Sequence, residues 1–100
     1  MFYITQGKGF QMIFENGLTI SVQCGVNNYC DNRNNSTYEE YLKPCGESII
    51  ESSTAEVAVW DKNNKWITGE FTEKGDGSVA GWLTVEDVFE IMEKVKNYKG

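Results

Sequence analysis

Between Gly9 and Cys24 the chain reads GFQMIFENGLTISVQC, in which two apolar series alternate with polar residues: Phe10, Met12, Phe14, then Leu18, Ile20, Val22, Cys24. Each is a period-two pattern, which places its apolar members on one face of a strand. A two-residue Asn16-Gly17 turn would pair Glu15 with Leu18 and Ile13 with Ile20, sending the two series to opposite sides of the sheet. A three-residue loop, Glu15-Asn16-Gly17, instead pairs Phe14 with Leu18, Met12 with Ile20 and Phe10 with Val22, so both series share a face. It also gives Gly17 the left-handed position of a G1 bulge, which a residue lacking Cβ occupies without steric cost. The bulged hairpin is the predicted form, with Cys24 continuing its apolar face.

A second hairpin is read from Ala55 to Phe71. AEVAVW (Ala55 to Trp60) is one strand, Trp66 to Phe71 its partner, and Asp61-Lys62-Asn63-Asn64-Lys65 the connection. Pairing Val59 with Ile67 and Ala55 with Phe71 gathers Ala55, Val57, Val59, Ile67 and Phe71 on one side and sets Trp60 opposite Trp66 on the other. Such a cross-strand aromatic pair serves either as sheet packing or as a stacking platform for a planar ligand. After the turn-rich Glu73 to Ser78 loop, residues 79–83 (VAGWL) lead into a helix from Thr84 to about Tyr98. Thr84 suits the N-cap, Asp87 completes a capping-box-like pattern, and Lys94, Lys96 and Lys99 lie near the end where cations suit the dipole. Val85, Val88, Phe89, Met92 and Val95, widened by Ile91, form the stripe expected to pack on the sheet.

These elements predict a single α+β domain over residues 1–100: an antiparallel sheet made from two β-hairpins with one C-terminal helix packed on it. One hundred residues with 40% hydrophobic content can bury a genuine core. Between the hairpins, Gly25 to Ser36 (GVNNYCDNRNNS) is rich in Asn and lacks apolar periodicity, so it reads as a loop. A short helical turn over Tyr38 to Leu42, opened by Ser36 or Thr37 and stopped by Pro44, is expected next, while Ile49 and Ile50 take no clear assignment. No apolar run is long enough to span a membrane, and Met1 to Lys8 lacks the basic-then-apolar order of a secretory signal, so the expected location is the cytoplasm.

Composition removes several chemistries. A net charge of −6, with Arg33 the only arginine, opposes direct nucleic-acid binding, and the carboxylates are too dispersed to imitate DNA. The absence of histidine removes Ser-His-Asp and Cys-His catalysis. Cys24, Cys30 and Cys45 contain no CxxC pair; a zinc site would have to add Asp31 as fourth ligand, and neither a metal nor a cofactor is called for. Gly7-Lys8-Gly9 is too short for a phosphate-binding loop. Asp31 to Asn35 fails the calcium-loop pattern because Arg33 occupies a ligand position, and Asp61 to Lys65 fails at its fifth position. The sequons at Asn34 and Asn35 have no role in a cytosolic chain. No carboxylate pair stands out as a general acid and base.

The candidate contact residues are therefore Asn28, Tyr29, Cys30, Asp31 and Arg33 in the Asn-rich loop, together with Trp60 and Trp66. Arg33 carries a planar bidentate cation suited to a phosphate or carboxylate. The competing reading is that Asn and Asp in this loop bond to their own backbone and shape its turns.

The segments KGFQMIFENGLTISVQCG, NNYCDNR, AEVAVWD and VAGWLTVEDV together resemble a group of small uncharacterised proteins of bacteriophages and bacterial mobile elements. Cys24 departs from that pattern, where an aromatic residue is expected. The resemblance implies no activity residue by residue. Its context implies a non-catalytic accessory binding protein in the cytoplasm of a host bacterium, a counter-defence factor that blocks a host defence protein or sequesters a nucleotide-like signal, and is compatible with a homo-oligomer. The alternatives are a small nucleotide-acting enzyme using carboxylates or a cysteine, and a structural or regulatory phage protein.

Overall fold

The bulged hairpin forms in the predicted register. In the computed structural model, which describes residues 1–5, 9–25, 28–31, 33 and 52–99, strands β2 (Gly9–Ile13) and β3 (Thr19–Gln23) pair Phe10 with Val22 and Met12 with Ile20. Phe14 N–H donates to Leu18 O at 2.9 Å, and Gly17 holds φ +86°. The apolar members face inward: Leu18, Ile20 and Val22 are buried.

Three further strands extend this pair into a five-stranded antiparallel sheet in chain order. β1 (Phe2–Thr5), a segment that takes no strand assignment from sequence, pairs with β2. β4 (Ala55–Trp60) pairs with β3, setting Ile20 beside Val59 and Val22 beside Val57. β5 (Ala80–Leu83) then pairs with β4 through Val57–Ala80 and Ala55–Leu83, with a bulge between.

The second hairpin is corrected in its returning arm. Trp66 bridges Trp60, and Ile67 N–H donates to Val59 O at 2.8 Å, but the chain leaves the sheet at Thr68 in a 3-10 turn (Thr68–Glu70). The buried Thr68 hydroxyl replaces the missing ladder: it accepts from Val59 N–H at 2.9 Å and donates to Ser78 O at 2.8 Å. Ala55 therefore pairs with Leu83 rather than Phe71, and Phe71 enters the core from the turn, edge-on to Tyr98 at 5.1 Å.

The C-terminal helix α1 (Val85–Lys96) begins at a full capping box: Thr84 Oγ1 accepts from Asp87 N–H, and Asp87 accepts from Thr84 N–H. Its contacts fall on β3, β4 and β5. Ile91 and Val95 are the buried positions, while Val88 and Met92 pack at the margin. Phe89, read as part of the packing stripe, is 66% exposed, and Val85 is exposed too. At 3.6 residues per turn Phe89 lies about 120° around the axis from Val95, too far to reach a sheet centred on Val95. The far end of the helix is tied to the first hairpin: Asn16 Nδ2 donates to Val95 O at 2.8 Å and Tyr98 O at 3.1 Å. Among the described residues no helix is long and apolar enough to cross a membrane. The expected turn over Tyr38 to Leu42, Pro44, Cys45, Ile49 and Ile50 lie outside the described residues.

Candidate functional site

Strand alternation puts Ala55, Val57 and Val59 toward the helix, and Glu56, Ala58 and Trp60 on the opposite, outer face. On β3 the outer residues are Thr19, Ser21 and Gln23. Small side chains form the floor of this face, with Thr19, Ser21 and Ala58 all buried. A polar ladder crosses it: Thr5 Oγ1 donates to Gln23 Oε1 at 2.8 Å and Gln23 Nε2 to Ser21 Oγ at 3.1 Å.

Two aromatic pairs rise from that floor, one stacked and one tilted. Trp60 and Trp66 stack with centroids 5.4 Å apart and planes 27° from parallel. Glu56, four residues back along β4, organises the second. It accepts from Tyr29 N–H at 2.8 Å and from Asn28 Nδ2 at 3.4 Å, which draws the Asn-rich loop onto the sheet. Tyr29 then lies over Gly81, where an added Cβ would come within 2.5 Å of Tyr29 Cβ. Its ring meets Trp82 at 5.7 Å, and the Arg33 guanidinium sits 4.2 Å from its centroid. Arg33, Tyr29 and Trp82 thus form a layered cluster in which a cation rests on a π face. At about 3.3 Å per residue, the two pairs are roughly 13 Å apart along β4.

Trp82 is backbone-strained. Its φ of +50° lies in the left-handed region that bulky residues avoid, and it is held there by its N–H bond to Tyr29 O at 2.7 Å, at the bulge of β5. Strain of this kind costs on the order of 1–3 kcal/mol and concentrates where side chains are posed for a purpose. Here it presents the indole outward, 53% exposed.

The other loop residues hold the loop. Asn28 Oδ1 accepts from Gly25 N–H at 3.0 Å. Asp31 takes hydrogen bonds from the hydroxyls of Ser53 and Thr54, and its N–H donates to Thr54 Oγ1 at 2.9 Å. Cys30 is 1% exposed, with Sγ toward Gly25 O at 3.5 Å. Burial, and secondarily the neighbouring Cys30, push the Cys24 thiol above its ordinary pKa. Among the described residues no three His, Cys, Asp or Glu side chains come together as a metal site.

No family model matches the chain, and no curated protein or solved structure matches it. Of the residues singled out from sequence, Tyr29, Arg33, Trp60 and Trp66 come together on the outer face, Asn28 and Asp31 brace the loop, and Cys30 lies beneath. Trp82 was not among them. Its only sequence signal is the Gly81-Trp82 step, a glycine that permits close approach of another segment just before a large aromatic.

Proposed function

We propose that this chain is a non-catalytic binding protein whose contact surface is made by the exposed aromatic side chains on the outer side of its sheet, and that its partner is a protein surface. The observation that carries this reading is the two aromatic pairs on one side of the sheet, one stacked and one tilted, including a tryptophan held in a strained conformation that turns it outward. Tyr29, Trp66 and Trp82 are 42%, 49% and 53% exposed. Tyr, Trp and Arg are the residues that most often anchor protein interfaces, because they bury large areas at low entropic cost. Small-ligand sites, by contrast, enclose most of their ligand.

The chemistry nearby supports binding over turnover. A thiol nucleophile acts as its thiolate, whereas Cys30 is buried and the Cys24 thiol is shifted away from ionisation. Glu56 and Asp31 are engaged with main-chain N–H groups and hydroxyls that hold the loop. Combined with the resemblance to small phage and mobile-element proteins, the reading is a counter-defence factor that occludes a defence protein in the host cytoplasm.

The test is affinity capture of candidate host defence proteins, followed by calorimetry with the purified partner. Single Trp60→Ala, Trp66→Ala and Trp82→Ala variants should each weaken binding by at least about tenfold, the usual hot-spot effect, with folding verified by near-UV circular dichroism. Saturable binding of a nucleotide signal, quenching tryptophan fluorescence and lost in the same variants, would replace the protein partner with a small ligand. Multiple-turnover conversion of that nucleotide would end the binding-protein reading.

A further inference from the structure

The two edges of the sheet are unlike. β5 is interrupted by its bulge, and Trp82 N–H is already taken by the carbonyl of Tyr29, so that edge offers no regular ladder. β1 forms the other edge, and among the described residues no strand lies beyond it. Its sequence, Phe2-Tyr3-Ile4-Thr5, consists entirely of strong strand formers and has none of the charge, proline or bulge by which edges are normally protected.

The main-chain pattern shows which groups are available. Ile13 N–H donates to Met1 O at 3.1 Å, marking Met1 and Ile13 as a hydrogen-bonded pair. Antiparallel pairs alternate, so Tyr3–Gln11 and Thr5–Gly9 also bond, while Phe2 and Ile4 direct their N–H and C=O groups away from β2. Their side chains lie on the helix side of the sheet, beyond the reach of α1, which packs on β3 to β5. Phe2 is 70% exposed and Ile4 86%, with Met1 and Tyr3 also exposed.

We infer that β1 pairs with β1 of a second copy of this chain, joining two sheets into one of ten strands about a two-fold axis at Tyr3. Phe2 of each copy then faces Ile4 of the other, and these two pairs exchange four main-chain hydrogen bonds. The apolar side chains meet on the helix side, and the two Tyr3 rings stand together on the outer side. Such an interface is self-complementary, as a two-fold requires. Covering the exposed β1 side chains on both copies removes on the order of 1,000 Å² from water, at the lower end of specific interfaces. The main-chain ladder supplies the remainder, as in strand addition. No charged side chain lies on β1, so the net charge of −6 is not concentrated at the contact.

Sedimentation equilibrium over about 1–500 μM, a range that brackets modest interfaces, tests this. The expected result is a mass of two chains at the upper concentrations. Ile4→Pro removes only an outward N–H and leaves the β1–β2 ladder intact. It should raise the dimer dissociation constant at least tenfold while preserving the circular dichroism spectrum, and Ile4→Lys takes its place if the proline variant unfolds. Tyr3→Cys should form a disulfide-linked dimer under mild oxidation beyond any seen for the wild type, since non-hydrogen-bonded partners lie about 4.5 Å apart at Cα. Thr5→Cys should not. A single-chain mass at every concentration, or a dimer that folded Ile4→Pro or Ile4→Lys leaves unchanged, overturns the inference.

Discussion

Replacing Asn16 tests the tie between the first hairpin and the end of the last helix. Its amide donates to the carbonyl of Val95 at 2.8 Å, in the last turn of the helix, and to that of Tyr98 at 3.1 Å, just past its end, while Oδ1 takes the Leu18 N–H at 3.0 Å. Asn16→Ala removes these three bonds, along with a longer contact to Lys96 O at 3.5 Å. At roughly 1 kcal/mol net for each, the loss is about 2–3 kcal/mol. With a urea slope slightly above about 1 kcal/mol per molar, the midpoint should fall by about 2 M. Asn16→Asp separates the tie from the turn, because aspartate serves a turn as well as asparagine and keeps the bond to Leu18. At neutral pH its carboxylate would face two carbonyl oxygens and the negative end of the helix dipole, so the variant should be less stable than Asn16→Ala. The same repulsion raises the folded-state pKa of the introduced carboxyl above its unfolded value of about 3.9. Relative to wild type at each pH, stability should therefore return as pH falls through that raised value and be fully recovered below the unfolded one. A midpoint shift under about 0.5 M for Asn16→Ala, corresponding to less than one hydrogen bond, would refute the tie. So would an Asn16→Asp deficit that does not shrink on acidification.

Two other predictions follow from the helix. Phe89→Ala should cost less than about 1 kcal/mol and Ile91→Ala about 2–5 kcal/mol in urea melts, the difference between an exposed and a buried position on one helix. The Asp87 carboxyl is held below its usual pKa, first by the Thr84 N–H and then by the Lys74 ammonium at 3.0 Å. Its contribution is present above the unfolded value near 4 and lost as pH falls through the depressed folded value. Asp87→Asn should lower Tm at pH 7, and thermal melts in increasingly acidic buffers should show the gap to wild type closing.

The parts of the fold readable from sequence were those where several local signals agreed. The register from Phe10 to Val22 followed from two alternating series joined by a glycine able to take the φ of +86°. The start of α1 followed from Thr84 and Asp87, whose pairing is local. Residues 66–71 misled because their alternation continues past the point where Thr68 substitutes a hydroxyl for the ladder, a bond whose partners lie nine and ten residues away. β1 has too few residues for a period to show and no polar alternation. The apolar stripe of α1 is wider than the arc that docks, and only the sheet's position decides that Ile91 rather than Phe89 is covered. In the site, the Trp60–Trp66 stack was legible as a cross-strand pair. Trp82 was not, because its outward pose depends on a loop some fifty residues earlier lying over Gly81.

The neighbouring strands β3 and β4 are adjacent in the sheet although residues 24–54 intervene, and the Tyr29 cluster belongs to that excursion. Loop-closure entropy grows only logarithmically, so doubling a connection of this length costs about 0.6 kcal/mol. The sheet and the connection between β3 and β4 can therefore diverge at different rates. Insertions or deletions between Arg33 and Ser52 would leave the pairing of Gln23 with Glu56 in place, and with it the seat on which Tyr29 rests. A lineage could lengthen or shorten this connection without rebuilding its core.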